Sequence, residues 1–343
     1  MFKHNAYLIE TITNTHVGAG DTNYGVIDNM IQRDSRSGFP IVHPSSIKGA
    51  VRDHFKQVLK ESSTEIGIKD YTIEAVFGEE KKDWLIEKAT HESCDPEDKE
   101  QIDFLLKNTP RQGLIKFFEA CLLTIPLRST KKVFHHATCP YLAIDYLENL
   151  KQFHVVNDAC EIDMLIRFFI ELRTQLSSKN KEFIVFSGAK PVIEDYENLI
   201  HMTSDKINAL NDINDDMIRS LISKYFSPHQ YQNYMNTFAV FHDDLFQHIC
   251  TSGMPVIARN KLSDEGKSEN LFYEEILPRR SVLWFMNGIY QFPETHFFYT
   301  QFEQVEKVLL NSNIQIGANA SVGYGVTSIH KIKGGVSHEQ AKN

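Results

Sequence analysis

From residue 16 the chain reads His16-Val17-Gly18-Ala19-Gly20, then Gly25-Val26-Ile27-Asp28, then Gln32-Arg33-Asp34, then Ser45-Ser46-Ile47-Lys48-Gly49-Ala50-Val51-Arg52. A glycine-rich loop here holds one acidic residue beside a basic segment. The loop runs directly into a segment with helical spacing. This order of parts suits a protein that wraps a phosphate backbone and places a carboxylate against it.

The segments on either side of this loop have clear local signals. Alternating apolar and polar residues predict a strand from Asn5 to Thr15. Ser45 or Ser46 is expected to cap a helix that runs to about Lys60. Helical spacing gives that helix a buried face and a basic face. The buried face consists of Ile47, Val51, Phe55 and Val58, and the basic face consists of Lys48, Arg52 and Lys56.

The rest of the chain predicts a mixed α+β fold. Residues 61–110 are interpreted as a helical, acidic insertion, and residues 177–250 as a second insertion with short helices. Residues 113–127 predict a strand pair, residues 160–176 a helix, residues 256–276 a hairpin that turns at 263–268, and residues 281–290 a strand. Thr300 has capping-box spacing and is expected to open a helix to about Leu310, before final strands at 314–316 and 326–332. Strand–helix–strand units at both ends favour a ferredoxin-like (RRM-like) core.

Composition excludes several classes of protein. The five cysteines of the 343 residues are odd in number and lack any Cys-x-x-Cys pair, which argues against a disulfide framework and fits a reducing cytoplasm. No apolar run approaches the length of a membrane span or a signal peptide. The net charge is −9, but residues 61–110 hold 14 acidic and 6 basic side chains. Because the acidity is concentrated there, net charge alone does not exclude a nucleic-acid partner.

The motifs quoted above resemble the repeat-associated (RAMP) superfamily of CRISPR proteins, and within it the repeating backbone subunit of the type III-B (Cmr) effector. That family has a His before a Gly-rich turn, then Gly-x-x-Asp, a basic segment and Ser-Ser-x-Lys-Gly-x-x-Arg. Further segments resemble the family in the same order. They are Gly113–Ala120 leading to Ile125–Ser129, Leu271–Pro278, and the glycine-rich loop Gly317–Gly325.

The resemblance implies one RAMP domain over residues 1–333. Its core would lie at about 5–60, 111–176 and 254–332, with the two insertions between these parts. The hairpin at about 256–276 would be a projecting thumb, and residues 334–343 a disordered tail. Two departures from the family pattern are Val42-His43-Pro44, where Ile-Pro-Gly is usual, and Ala318, where a second glycine is common.

The candidates for catalysis are Asp28, His16 and Glu274. Asp28 could bind a divalent metal or assist proton transfer from a ribose hydroxyl, although an Asp in a loop commonly caps a turn. The resemblance implies the catalytic role, because the family's catalytic Asp falls on this position. His16 could act as general acid or base, or simply bond to the backbone. Of Glu274 and Glu275, only one can face the loop, and at least one is expected to form a surface salt bridge.

A second group of residues is expected to bind RNA. Lys48, Arg52 and Arg33 would neutralise phosphates, although a solvated helix face gives the same pattern. Amides near Ser45 and Ser46 at a helix N-terminus could bind anions while the hydroxyls cap the helix. Gly317, Gly323 and Gly325 would let the backbone approach a phosphate, or would simply form a tight turn.

The resemblance implies an endoribonuclease that works inside an assembled particle. Copies of the chain would stack along a CRISPR guide RNA with other Cmr subunits, and Asp28 with Mg²⁺ or Mn²⁺ would promote cleavage of the target RNA. A non-catalytic scaffold of the same fold is an alternative, and so is the equivalent subunit of a type III-A complex. No nucleotide or cofactor motif supports a metabolic enzyme.

Overall fold

The computed structural model describes residues 2–20, 27–62, 71–78, 82–91, 94–108, 113–187, 190–210, 214–230, 233–264, 266–291 and 297–332. The strands in these ranges are β1 (Phe2–Thr11), β2 (Ile41–Val42), β3 (Ile115–Phe117), β4 (Ala120–Arg128), β5 (Phe134–Thr138), β6 (Phe183–Val185), β7 (Leu199–His201), β8 (Phe238–Phe241), β9 (Val256–Leu262), β10 (Ser268–Glu275), β11 (Val282–Tyr290), β12 (Asn313–Gln315) and β13 (Val326–Lys331). The helices are α1 (Pro44–Ser62), α2 (Tyr71–Phe77), α3 (Lys82–Thr90), α4 (Pro96–Asn108), α5 (Pro140–Gln152), α6 (Ala159–Ser178), α7 (Ser204–Asn208), α8 (Asp215–Phe226), α9 (Asp243–Ser252) and α10 (Phe297–Asn311). Among these helices we find none with the length and apolarity needed to span a bilayer.

Eleven strands form one sheet whose main path runs β12-β13-β1-β11-β4-β5-β8-β6-β7. β2 pairs with β4, and β3 pairs with β11. The four strands β13, β1, β11 and β4 are antiparallel to their neighbours in that group. β9 and β10 form a separate antiparallel hairpin at the predicted position. The α+β prediction is therefore confirmed.

Strand β1 is an inner strand of the sheet, between β13 and β11, and is covered on both faces. Successive side chains of a strand point to opposite faces. Tyr7 and Ile9 therefore enter one apolar core, which they share with α1, α2, α4 and α10. Ala6 and Leu8 enter the other core, which they share with α5, α6 and α8. Burial on both faces explains why the middle of β1, Ala6–Ile9, is continuously apolar and does not show the predicted alternation.

Two predicted helix starts are displaced. Helix α1 begins at Pro44, because the carbonyl oxygen of His43 already accepts from the amides of Ser46 (3.0 Å) and Ile47 (3.2 Å). Proline suits the first helical position, since that position has no intrahelical acceptor for an N–H. The predicted cap at Ser45 or Ser46 is therefore wrong. The capping box at Thr300 is also wrong, because α10 begins at Phe297 and Thr300 lies inside it.

The two regions predicted to be insertions share their cores with the sheet. The helices of the first region contribute Tyr71, Val76 and Ile102 to the core that contains Tyr7. The second region was expected to hold short helices, but it also adds β6, β7 and β8 to the sheet. β6 and β8 are short, fully buried apolar strands, which hydrophobic periodicity alone does not separate from buried helix segments, and β7 is only three residues long.

The region 113–127 does form two strands, but they do not pair with each other. Phe117 of β3 pairs with Asn287, and Cys121 of β4 pairs with Trp284. Both strands therefore pair with β11, one after the other along its length. The predicted helix at 160–176 is confirmed as α6. The tail at 334–343 lies outside the described residues.

Candidate functional site

The loop that contains Asp28 runs alongside strand β10 of the hairpin. The amides of Asp28 and Asn29 each lie 3.1 Å from the carbonyl oxygen of Tyr273. The amide of Glu275 donates to the main-chain carbonyl oxygen of Asn29 at 2.9 Å. The amide of Tyr273 donates to Oδ2 of Asp28 at 2.7 Å. The Asp28 side chain is exposed. The carboxylate is thus positioned by the hairpin backbone and open to solvent, whereas Gly25 and Val26 of the motif lie outside the described residues.

His16 lies under this loop and is almost fully buried, with 5% of its surface exposed. Its Nδ1 lies 2.7 Å from the carbonyl oxygen of Glu275. Its Nε2 lies 3.8 Å from Oε1 of Glu274. A Cβ on Gly18 would stand 3.1 Å from that Nε2, so the glycine leaves the space beside the ring nitrogen. The same imidazole therefore contacts both glutamates at the end of β10.

Glu274 is buried and is contacted by three separate segments of the chain. Nδ2 of Asn319 donates to its two oxygens at 2.9 and 3.0 Å. A guanidinium nitrogen of Arg259, on the neighbouring strand β9, lies 3.4 Å from Oε2. His16 Nε2 faces Oε1, so this carboxylate connects the segment around His16, the hairpin and the C-terminal glycine-rich loop.

Glu275 points to the opposite side of β10, as alternation along a strand requires. It forms an ion pair with Arg33 and accepts from the amide of Ile31 at 3.1 Å. The Arg33 guanidinium also donates to the carbonyl oxygens of Gly38 (2.8 Å) and Cys250 (2.7 Å). The prediction of a salt bridge at one or both glutamates holds, since Glu274 pairs with Arg259 and Glu275 with Arg33. Their placement on the surface was wrong, because Glu274 is only 3% and Glu275 only 2% exposed.

The C-terminal glycine-rich loop packs directly on His16. Gly317 has a positive φ of 89°, and a Cβ at this position would lie 2.3 Å from the carbonyl oxygen of His16. The amide of Ala318 donates to that same oxygen at 2.9 Å. Gly323 also has a positive φ, of 82°, but no atom lies within 4 Å of its Cβ position. Gly325 is tight again, because its Cβ would meet the carbonyl oxygen of Ile316 at 2.2 Å.

The residues of the predicted basic face of α1 differ in burial and in ion pairing. Arg52 is 8% exposed and lies 3.4 Å from a carboxylate oxygen of Glu74. Lys48 is half-buried and Ser45 is exposed. Ser46 Oγ lies 3.3 Å from Nε2 of Gln32, which joins the start of the helix to the first loop. Arg33 and Arg52 thus have internal ion-pair partners, and their RNA-binding role stays a prediction that requires those pairs to open.

The structure brings His16, Glu274 and Gly317 together. Asp28 lies beside them, hydrogen-bonded to Tyr273, the residue of β10 that precedes Glu274. Their carboxylate and imidazole atoms do not converge into a metal centre. Among the described residues, the group whose possible ligand atoms all lie within 4.8 Å of one another is Glu10, His229 and His330. Among the described carboxylates of this site, that of Asp28 is exposed, and a carboxylate oxygen is a ligand that suits a mostly hydrated Mg²⁺.

Sequence reasoning missed three residues of this site: Asn319, Arg259 and Gln32. Asn319 adopts the left-handed conformation (φ 64°) inside the glycine-rich loop. Asparagine tolerates that conformation better than most residues, so its position among glycines was a usable signal. Arg259 and Gln32 gave no such signal, because their roles depend on contacts across the fold.

Comparison with known proteins places this geometry in a family. The profile of the RAMP superfamily matches residues 8–328. The CRISPR system Cmr endoribonuclease Cmr4 of Pyrococcus furiosus is 26% identical over 332 residues, which is 94% of this chain and 95% of that protein.

Two solved structures share the fold. The apo state of a type III-B Cmr-beta complex contains a chain with a TM-score of 0.61 and 19% identity, covering 96% of this chain and 98% of that one. The oligomeric Cmr4 of Pyrococcus furiosus also has a TM-score of 0.61, with 18% identity, covering 97% of this chain and 100% of that one.

Proposed function

This chain belongs to the RAMP superfamily, and from that membership we propose that it is a repeated backbone subunit of a type III-B CRISPR effector. In this role it binds guide RNA and cleaves complementary target RNA at regular intervals. One observation carries the proposal. Three segments that resemble the family and are far apart in sequence meet at Glu274 of β10, where His16 and Asn319 both contact its carboxylate. The exposed Asp28 is hydrogen-bonded to the backbone of the same strand.

We assign the ferredoxin-like core to β1, α1, β4, β11, α10 and β13. This succession is a β-α-β-β-α-β unit. Its strands lie in the order β13-β1-β11-β4, each antiparallel to the next, and residues of α1 and α10 share one core. The thumb is the β9–β10 hairpin, and the C-terminal end of β10 is hydrogen-bonded to the loop that contains Asp28. The hairpin would therefore position the cleavage residue against the target strand.

The proposed reaction is attack of a ribose 2′-hydroxyl on the adjacent phosphodiester. The bond from O2′ to phosphorus forms and the bond from phosphorus to O5′ breaks, which leaves a 2′,3′-cyclic phosphate and a 5′-hydroxyl. O2′ gives up a proton and O5′ gains one. Asp28 is the exposed carboxylate that would lie beside O2′, and Nε2 of His16 is the ring nitrogen that would hold or return a proton.

The cofactor we propose is Mg²⁺ or Mn²⁺. When bound, such an ion supplies charge stabilisation to the phosphate oxygens. The donor set fits this ion only in a limited way, since among the described residues of the site the exposed carboxylate is that of Asp28, and water and phosphate oxygens would complete the shell. Asp28 would hold the ion, with its other oxygen kept in place by the Tyr273 amide.

The proposed partners are the guide RNA, the target RNA, further copies of this chain and other Cmr subunits. The relative from Pyrococcus furiosus is named as a Cmr endoribonuclease and aligns over 94% of this chain, which supports that assembly. RNA would be held by shape and backbone contacts, while base pairing with the guide reads the sequence.

One observation favours the alternative of a non-catalytic scaffold. His16 is only 5% exposed, and Gly317 and Ala318 pack on its carbonyl. A buried imidazole with backbone partners can serve purely to join the two loops. The same fold and assembly would then bind RNA without cutting it.

The test uses the assembled complex with guide RNA, labelled complementary RNA and Mg²⁺ or Mn²⁺. Asp28→Asn keeps an oxygen for the Tyr273 amide and removes the charge. We expect regularly spaced cuts with the wild type and none with Asp28→Asn, while target binding is unchanged. Asp53→Asn, at an exposed position of α1, is the matched control and should cut normally.

A second arm replaces the ribose at one cut position with deoxyribose. The proposed mechanism requires that this cut alone disappears, because O2′ is the nucleophile. Cleavage at the deoxyribose would exclude the mechanism. Binding without any cutting by the wild type would establish the scaffold alternative.

A further inference from the structure

Glu10, His229 and His330 form a cluster away from the proposed cleavage residues. Nε2 of His229 lies 2.8 Å from Oε2 of Glu10. The two imidazole rings have centroids 4.8 Å apart. One possible ligand atom from each of the three residues lies within 4.8 Å of the other two. Two imidazoles and one carboxylate are thus collected at one point.

The central sheet places two of these residues on one face. Strands β1 and β13 pair so that Glu10 is opposite Ser328 and Leu8 is opposite His330. Residues 8 and 10 of a strand share a face, so Glu10 and His330 are diagonal neighbours on the face that carries the α8 core. His229 follows α8 and reaches the pair from the segment above that face.

Neighbouring groups support the arrangement as outer contacts. A guanidinium nitrogen of Arg280 lies 2.8 Å from Oε1 of Glu10, the oxygen that does not face His229. Ser328 Oγ lies 3.0 Å from Nε2 of His330. Metal-binding carboxylates and imidazoles commonly have such second hydrogen bonds, which orient them and set the histidine tautomer.

We propose that Glu10, His229 and His330 form a binding site for Zn²⁺ or a similar first-row divalent ion. Two imidazoles and one carboxylate form a ligand set that such ions accept, with a water in the fourth position. Tetrahedral ligands at roughly 2.1 Å from zinc stand roughly 3.4 Å apart, so the three side chains need to shift by only about an ångström.

The geometry gives this ion a structural role. Glu10 is 4% exposed and belongs to the central sheet, whereas His229 is exposed and lies in the segment after α8. An ion held by both would fasten that segment, and with it the end of α8, to strands β1 and β13. Because His229 is exposed, the ion could reach the cluster from solvent.

The experiment titrates the untagged full chain with Zn²⁺ alone against a chromophoric chelator, and records thermal unfolding with and without the ion. We expect one tight equivalent per chain and a higher Tm with Zn²⁺. His229→Ala lies in an exposed segment and should fold, yet its affinity for that equivalent should fall by at least about tenfold. His248→Ala, an exposed histidine of α9, is the matched control and should bind like the wild type.

A second variant separates ligation from folding. Glu10→Gln keeps a hydrogen-bonding group for His229 and Arg280 and should also lose the tight equivalent. The proposal is overturned if the wild type binds no tight equivalent, or if His229→Ala and His248→Ala bind Zn²⁺ equally well. In either case the cluster is a hydrogen-bonded Glu–His pair only.

Discussion

Nδ1 of His16 lies 2.7 Å from the main-chain carbonyl oxygen of Glu275. A carbonyl oxygen can only accept, so Nδ1 donates this hydrogen bond and Nε2 is the ring nitrogen that remains for other contacts. That Nε2 lies 3.8 Å from Oε1 of Glu274. The end of β10 therefore fixes the donor nitrogen through its backbone and faces the other nitrogen with a carboxylate.

This relationship separates the structural and chemical roles of His16. His16→Asn keeps an N–H that can donate to the Glu275 carbonyl but lacks a basic Nε2. We expect its Tm to stay close to that of the wild type, while single-turnover cleavage in the assembled complex falls by roughly 10²-fold or more. His16→Ala should lose stability as well as cleavage. Normal cleavage by His16→Asn would reduce His16 to a structural residue.

Gly317 offers a test of how closely the C-terminal loop must approach His16. Gly317→Ala and Gly323→Ala both place a side chain at positive φ, which costs roughly 1–2 kcal/mol in the free energy of unfolding. Only Gly317→Ala also brings a Cβ to 2.3 Å from the His16 carbonyl oxygen. We expect it to be the more destabilising variant in urea denaturation, and to slow cleavage. Equal destabilisation would show that the loop can move away without cost.

Lys48 is the residue of the basic helix face that we expect to contact an RNA phosphate. It is half-buried near the start of α1, on the same side of the helix as the exposed Ser45. Lys48→Ala should weaken guide-RNA binding and lower the slope of log affinity against log salt by about one, since one phosphate contact is lost. Lys151→Ala, on α5, removes an exposed lysine that pairs with Asp163 and is the control. An unchanged salt slope would remove Lys48 from the RNA interface.

Buried histidine makes the stability of this protein sensitive to acid. His135 on β5 is fully buried, and burial lowers its pKa from 6.5 to about 4. The unfolded chain binds the proton more readily between these values, so the free energy of unfolding decreases as pH falls from 6.5 towards 4. The stabilisation is complete above the unfolded pKa.

Urea denaturation of the wild type and His135→Phe at several pH values checks this prediction. The variant should show a weaker loss of stability on acidification, because it has no imidazole to protonate at that position. His248→Phe, at an exposed position, should follow the wild type. Parallel curves for wild type and His135→Phe would mean that His135 does not contribute to acid unfolding.

Local patterns were enough to predict much of the architecture. The β-type segment at β1, the apolar spacing of α1 and α6, and the turn between β9 and β10 all depend on residues close in sequence. Local conformation and burial follow from such patterns, since helices and strands have fixed periods. The short strands of the second insertion were not predicted, because a segment of three or four residues is too short to show a helical or strand period.

The amino-acid sequence by itself determined the α+β class, the loop around Asp28 and the glycine-rich C-terminal loop. Only the tertiary structure decided that His16, Glu274 and Asn319 meet, and that Arg33 pairs with Glu275 inside the protein. Strand pairing and loop packing join residues hundreds of positions apart. A charge pattern cannot show whether its partner in space is a phosphate or another side chain, because that depends on these long-range contacts.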